Sequence, residues 1–124
     1  MIKSNKVLAG IGLIITMLVY GFSSSCTAQS TASVDYDKAF LVDVRTPAEY
    51  QEGSAKGAVN IPLNELQNHL NEFKDKEQIV VFCRSGARSG QAKKILERNG
   101  ITNVINGSTW MDVDRAIQQN KTKK

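Results

Sequence analysis

The sequence predicts an α/β domain, built on a mostly parallel sheet of four to five strands with helices on both faces. The first observation is a series of short apolar runs rich in Val, Ile and Phe, which are typical of buried strands. The second is that segments of helical periodicity separate these runs, and this alternation favours a parallel sheet covered on both faces. The third is an ordinary globular composition, 41% hydrophobic and 23% charged, which excludes collagen, coiled coils, low-complexity disorder and a disulfide-dense mini-protein.

Four segments are predicted as strands. Three are strongly apolar and the last is weaker: 39–44, 58–61, 78–83 and 103–106. About 90 residues follow the N-terminal signal and its tether, which is enough for one small core. Little sequence separates Val34 from the first strand, so we expect a reduced sheet.

The first two predicted helices follow the first two strands. One begins at Thr46, a capping residue, with Pro47 at the first helical position. The other, residues 63–73, is amphipathic because its apolar residues recur at steps of three and four. His69, the single histidine of the chain, belongs to this second helix and is predicted to be a solvated side chain, neither a catalytic base nor a ligand.

Two further helices complete the predicted domain. The third runs from about Arg88 to Asn99 and stops at Gly100. The fourth covers residues 111–119, after Trp110, whose ring is predicted to pack in the core or at its rim. A polar, frayed tail is expected to follow at residues 121–124.

The first 28 residues have the layout of an export signal. Two lysines precede an uncharged apolar run at 7–22, and small polar residues follow it. The end of this segment resembles a bacterial lipobox with Cys26 as the candidate lipidation site, whereas an ordinary signal peptidase would cleave after Ala28. An uncleaved anchor is a third alternative, although the run is short beside the roughly 20 residues that span a bilayer. We therefore expect an exported protein, either periplasmic or tethered to the outer side of the cytoplasmic membrane.

Residues 35–120 are expected to form the domain, joined to the signal by a tether at 29–34. The charge of this domain indicates which partners it can bind. The formal charge is +4, but five lysines lie near the two ends of the chain, so the domain is close to neutral. This balance argues against a nucleic-acid partner. No cluster of residues has metal-ligand spacing, so neither a metal nor another cofactor is predicted.

Cys83 ends the most apolar strand, at the start of a loop rich in Arg, Ser and Gly. In parallel sheets this edge, where a strand ends and the next helix begins, is where open α/β folds bind ligands. The helix amino end, the loop amides and the charges of Arg84 and Arg88 all favour a thiolate, and Gly86 permits a tight positive-φ turn. A buried, inert cysteine is the alternative, but the two arginines and the glycine favour a reactive one.

Four segments of the chain together resemble single-domain rhodaneses, most closely the short exported kind typified by the phage-shock protein E group. They are LVDVRTPAEY (41–50), GAVNIPL (57–63), CRSGARSGQAKKIL (83–96) and NGITNVINGSTW (99–110). Asp43 and Arg45 match the family's DVR motif, and we expect a structural pair because buried charges usually occur in pairs. Ser54 and Ala55 stand where the family usually has His and Ile, and Ser108 stands where many members have Gly.

The resemblance implies a sulfurtransferase. Cys83 would take a sulfane sulfur from thiosulfate or a persulfide donor, hold it as a cysteine persulfide, and pass it to cyanide or to a thiol such as that of a thioredoxin-like protein. The implied substrate cradle comprises Arg84, Ser85, Gly86, Ala87, Arg88 and Ser89. Arg84 and Arg88 would hold the sulfonate end of the donor.

Three other functions remain open. Cys-dependent phosphatases and arsenate reductases of related fold also use a Cys–Arg loop, but theirs is one residue longer than the four residues between Cys83 and Arg88. Non-catalytic rhodanese-like binding modules have generally lost the cysteine that this chain keeps. Persulfide carriage for a partner protein would use the same chemistry with a different acceptor.

Overall fold

The computed structural model describes residues 33–124 of the chain. Its elements are, in order, β1 (Phe40–Asp43), α1 (Pro47–Glu52), β2 (Val59–Asn60), the 3-10 helix η1 (Leu63–Phe73), β3 (Ile79–Cys83), α2 (Ala87–Arg98), β4 (Val104–Thr109) and α3 (Trp110–Thr122). The predicted export signal and Cys26 lie outside the described residues. Among residues 33–124, no helix has the length and apolar character of a membrane span.

The strands form one parallel sheet of four strands in the order β2–β1–β3–β4, which confirms the predicted fold class. The central strand β3 is buried along its whole length and pairs with β1 on one side and β4 on the other. Because all strands run in the same direction, their carboxyl ends meet at one edge of the sheet. Asp43, Cys83 and Thr109 end their strands at this edge.

Helices cover both faces of the sheet, and each face has its own core. Side chains alternate along β3, so Ile79, Val81 and Cys83 face the core that includes residues of η1 and α2. Val80 and Phe82 face the opposite core, which includes residues of α3. Cys83 therefore lies on the face of the sheet that α2 covers.

The segment 63–73 is helical, as predicted, but it is a 3-10 helix with a non-helical residue, His69 (φ −117°, ψ 15°), inside it. Side chains three apart lie on one side of a 3-10 helix. Leu63 and Leu66 are such a pair before the kink, and Leu70 and Phe73 are another after it; all four pack in the same core. The kink explains the single step of four between the two pairs. His69 Nδ1 lies 2.9 Å from Glu72 Oε1 at the surface.

The last strand and the last helix are both longer than the sequence predicts. Strand β4 extends to Thr109, whose hydroxyl accepts from the Asp112 N–H at 3.1 Å and caps α3. Helix α3 ends at Thr122, so the first residues of the expected tail form its last turn. Lys124 Nζ lies 2.6 Å from Asp37 Oδ2, and this ion pair joins the end of the chain to the start of the domain.

Strand β4 contains a bulge that shapes the edge of the sheet. Asn106 pairs with Val81 and Ser108 pairs with Phe82, so Gly107 is an extra residue in the ladder. A Cβ atom on Gly107 would lie 2.6 Å from Val113 Cγ2, which is too close for any side chain. Only glycine fits this position.

Candidate active site

The loop after β3 wraps around the sulfur of Cys83. The side chain of Cys83 is buried (0% exposed), and the Gly86 N–H donates to its Sγ at 3.0 Å. Gly86 has φ +93°, in the region that favours glycine, and a Cβ there would lie 3.1 Å from Ser108 Oγ. The turn that aims this amide at the sulfur therefore depends on glycine.

Opposing effects set the pKa of the Cys83 thiol. Burial raises this pKa, whereas the Ser89 hydroxyl and the backbone N–H groups of Ser89, Ser85 and Gly86 lower it. The hydrogen bonds outweigh burial, so the pKa of Cys83 lies below that of an ordinary cysteine. Since the thiolate is the nucleophilic form, the loop favours the reactive state of this side chain.

Ser89 connects the sulfur to strand β4. Its Oγ lies 3.4 Å from Cys83 Sγ, 3.1 Å from the Gly86 carbonyl oxygen and 2.7 Å from Asn106 Oδ1. The hydroxyl has one proton and donates to one of these atoms at a time. Asn106 Oδ1 also accepts from the Ser108 N–H at 3.0 Å. The bulged strand thus fixes Ser89, which in turn contacts the sulfur.

The two loop arginines have different surroundings. Arg84 is exposed and forms no ion pair within residues 33–124. Both terminal nitrogens of Arg88 donate to the Glu49 carboxylate, at 2.8 and 2.9 Å. Hydrogen bonds from Arg88 and Thr46 hold the pKa of Glu49 well below its usual range, so this carboxylate is charged at neutral pH. The charge of Arg88 is therefore matched by a fixed negative charge from α1.

Asp43 and Arg45 form the expected structural pair beside the loop. Arg45 Nη2 donates to Asp43 Oδ2 at 2.7 Å, and the two side chains are 5% and 0% exposed. The Ser54 hydroxyl donates to the same carboxylate at 2.7 Å. Asn60 Nδ2 donates to the carbonyl oxygens of Asp43 and Arg45 at 3.0 Å each. Ser54 thus helps to satisfy a buried charge.

A cleft of about 310 Å³ opens next to the loop. Its walls carry charges of both signs, from Arg45, Arg84, Glu49 and Glu52, and also include Trp110 and Met111. The Arg45 guanidinium lies 5.4 Å from the centroid of the Trp110 ring, a cation–π contact that places this half-buried ring at the rim. Met111 is half exposed. The cleft offers room for a small molecule beside the guanidinium of Arg84.

The structure brings together part of the predicted cradle. The amides of Ser85, Gly86 and Ser89 face the sulfur, whereas Ala87 is the exposed first residue of α2. Within the described residues there is no group of three or more His, Cys, Asp or Glu that could hold a metal ion.

Sequence reasoning missed two residues of this site, Glu49 and Asn106. Glu49 stands three residues after Thr46, a capping-box spacing that predicts a contact with Thr46 but none with Arg88. Asn106 is the last residue of the predicted strand 103–106, and the glycine after it falls inside the longer observed strand, where a glycine often marks a bulge. Neither signal specifies the partner across the loop.

The parallel sheet and the cysteine loop at its carboxyl edge define an α/β domain of the rhodanese type. The model of the rhodanese-like domain family matches residues 17–108, and the chain belongs to this family. The resemblance of the four sequence segments is thereby confirmed.

Relatives of known sequence and structure agree with this assignment. The thiosulfate sulfurtransferase PspE of Escherichia coli is 42% identical over 74 residues, which cover 58% of this chain and 71% of PspE. The uncharacterized protein YqhL of Bacillus subtilis is 41% identical over 71 residues, which cover 57% of this chain and 56% of YqhL. The chain thus spans little more than half the length of YqhL. A solved structure of a rhodanese with anions from E. coli has 37% identity and a TM-score of 0.55, covering 60% of this chain and 89% of that one.

Proposed function

We propose that this protein is a sulfurtransferase that carries sulfane sulfur on Cys83 as a persulfide. The observation that supports this most strongly is the hydrogen bond from the Gly86 N–H to Cys83 Sγ at 3.0 Å, within a loop whose amides and serine hydroxyl favour the anionic sulfur. A persulfide formed on Cys83 is also an anion, so the same donors would stabilise it. Homologues named thiosulfate sulfurtransferase support the same class of reaction.

The proposed reaction has two halves. The Cys83 thiolate attacks the outer sulfur of thiosulfate, a new S–S bond forms, and the bond to the sulfonate sulfur breaks as sulfite leaves with the electron pair. Cyanide or an acceptor thiolate then attacks the outer sulfur of the persulfide, and Cys83 leaves as a thiolate. Charge balances in both steps, because each displaced anion takes the electron pair of the broken bond.

The residues around Cys83 have proposed roles in both steps. Arg84, exposed and beside the cleft, would bind the sulfonate end of the donor. The sequence predicts the same role for Arg88, which would act there with its charge already matched by Glu49. The acceptor would be a thiol, such as that of a thioredoxin-like protein. The predicted export signal would place this chemistry in the periplasm or, through a lipid on Cys26, at the outer side of the cytoplasmic membrane.

We expect the purified full chain to gain one sulfur atom on Cys83 when it is incubated with thiosulfate, as measured by mass spectrometry. Cyanide should then remove this sulfur as thiocyanate. Cys83→Ser should abolish both results and lower the rate of thiocyanate formation at least about 10³-fold, because it removes the nucleophile. Cys26→Ser, which replaces the other cysteine of the sequence, is the matched control and should react like the wild type.

The same preparation distinguishes the alternatives. An unmodified mass after thiosulfate, together with Cys83-dependent hydrolysis of an aryl phosphate, would show a phosphatase. If neither reaction occurs, the protein is a binding module instead of an enzyme.

A further inference from the structure

The carboxylate of Glu49 is fixed beside the Cys83 loop by residues on both sides of it. Its Oε2 accepts from the Thr46 N–H and from Thr46 Oγ1, both at 3.0 Å, and from Arg88 Nη1 at 2.8 Å. Its Oε1 accepts from Arg88 Nη2 at 2.9 Å. The Glu49 side chain is 24% exposed, so this ion pair is partly shielded from water. A bidentate arginine–carboxylate pair is stronger and more fixed in its geometry than a single hydrogen bond, so we expect Glu49 and Arg88 to stay paired.

This ion pair changes the charge that a sulfur donor meets. Two pairs of charges are already matched: Arg45 is paired with Asp43, and Arg88 is paired with Glu49. The cleft beside the loop is also lined by Arg84 and by a second acidic residue, Glu52. Arg84 is thus the one loop arginine without an ion pair in the part of the chain that the structure describes. The Arg84 guanidinium can balance one negative charge of a donor, and the acidic side chains that line the cleft offer none. The second charge of a dianion such as thiosulfate would lie near the Glu49 carboxylate without a counter-charge.

We propose that Glu49 is a specificity-determining residue, which by pairing with Arg88 makes the Cys83 site favour monoanionic sulfane donors over dianionic ones. This inference rests on the proposed sulfurtransferase function and names the class of donor for it. The favoured class includes alkanethiosulfonates and hydropersulfides. Glu49 acts through Arg88 and takes no part in bond making.

Two donors isolate the effect of charge. Thiosulfate carries two negative charges, and methanethiosulfonate has a methyl group in place of one oxygen and carries one. In both cases Cys83 attacks the sulfane sulfur and the S–S bond breaks. The leaving group is sulfite in the first case and methanesulfinate in the second, and each takes the electron pair. The persulfide left on Cys83 is the same.

The test is Glu49→Gln, assayed as kcat/KM for both donors with cyanide as the acceptor. Glutamine can keep the capping contact with Thr46, since capping boxes accept Glu or Gln at this position. The substitution removes the negative charge and leaves Arg88 unmatched. We expect the ratio of kcat/KM for thiosulfate to that for methanethiosulfonate to rise at least about fivefold, through a lower KM for thiosulfate. The rise should shrink at high salt.

Arg88→Gln and the double variant Glu49→Gln/Arg88→Gln complete a double-mutant cycle, so the conclusion does not depend on Glu49→Gln alone. Arg88→Gln leaves Glu49 without its partner, so the ratio should fall. The double variant Glu49→Gln/Arg88→Gln removes both charges, and its ratio should return to within about twofold of the wild type. A contact that is only structural would lower the rates for both donors alike and leave the ratio unchanged.

Glu97→Gln is the charge-matched control. Glu97 pairs with Lys93 and lies nine positions along α2 from Arg88, about 13 Å at 1.5 Å per residue. At physiological salt the Debye length is about 8 Å, so this variant should keep the wild-type ratio. A change equal to that of Glu49→Gln would show a general effect of net charge and overturn the proposal.

The possible failures differ in what they contradict. If neither donor adds sulfur to Cys83 in the wild type, the proposed function itself is wrong. If both donors react and the ratio is the same in the wild type and Glu49→Gln, only the role of Glu49 is wrong. A ratio that falls in Glu49→Gln would show that the ion pair helps to bind the dianion, which is the opposite of the proposal.

Discussion

In the loop after Cys83, Gly86 lies in close contact with Ser108, the residue that follows the bulge in β4. Gly86 and Ser108 both have positive φ angles, +93° and +70°. Glycine adopts such angles without cost, whereas a serine there brings its Cβ close to the following carbonyl oxygen. The loop around Cys83 thus lies against a backbone position that carries strain.

We expect Ser108→Gly to stabilise the domain by about 1 kcal/mol, because it relieves the strain of the left-handed backbone. For a domain of this size that corresponds to an increase in Tm of about 4–8 °C, measurable by thermal denaturation followed by circular dichroism. Ser108→Ala is the matched control, since it removes the hydroxyl and keeps the Cβ. If alanine stabilises as much as glycine, the hydroxyl is the cause and the backbone explanation is wrong.

At the scale of elements, the carboxyl edge of the sheet is joined by polar contacts. Asp43 at the end of β1 accepts from Arg45 and from Ser54 in the segment before β2. Glu49 of α1 pairs with Arg88 of α2. These contacts join α1 and the segments on both sides of it to the start of α2, around the end of β3. The sheet and its apolar cores place the elements, and the polar contacts fix the segments that surround Cys83.

Asp43→Asn should cost about 3–5 kcal/mol of the free energy of unfolding, because it leaves the buried Arg45 charge without a partner. Urea denaturation would measure this loss. Asp35→Asn is the control, since Asp35 pairs with Lys38 at 3.7 Å in an exposed position. An exposed pair contributes less than about 1 kcal/mol. Equal losses in the two variants would contradict the claim that burial sets the cost.

At the scale of the whole molecule, the sequence predicts those strands, helices and loop positions that depend on local sequence patterns. The apolar run 78–83 and the helical segment after it predict the central strand and the position of Cys83, and the structure confirms both. The pairs Glu49–Arg88 and Ser89–Asn106 join residues 39 and 17 positions apart. No local pattern specifies such partners, because they depend on how the strands align in the sheet.

The stability of the whole fold should depend on the ionisation of Cys83. In the folded protein, burial raises the pKa of this thiol, but the loop hydrogen bonds lower it by a larger amount. The folded pKa is therefore lower than that of the unfolded chain, which is about 8.5. Between these two pKa values the unfolded state binds more protons, so the free energy of unfolding rises with pH, by up to about 1.4 kcal/mol per pH unit. The contribution is complete above the unfolded pKa and is lost as the pH falls through the folded one.

Cys83→Ser isolates this contribution, because serine stays neutral over the same range while all other titrating groups are kept. Urea unfolding of both proteins at several pH values from 5 to about 9.5 should give a stability difference that increases with pH in favour of the wild type and becomes constant above about 8.5. A difference that stays constant throughout would mean that the folded and unfolded thiols share one pKa, and the loop would then give the sulfur no preference for the anion.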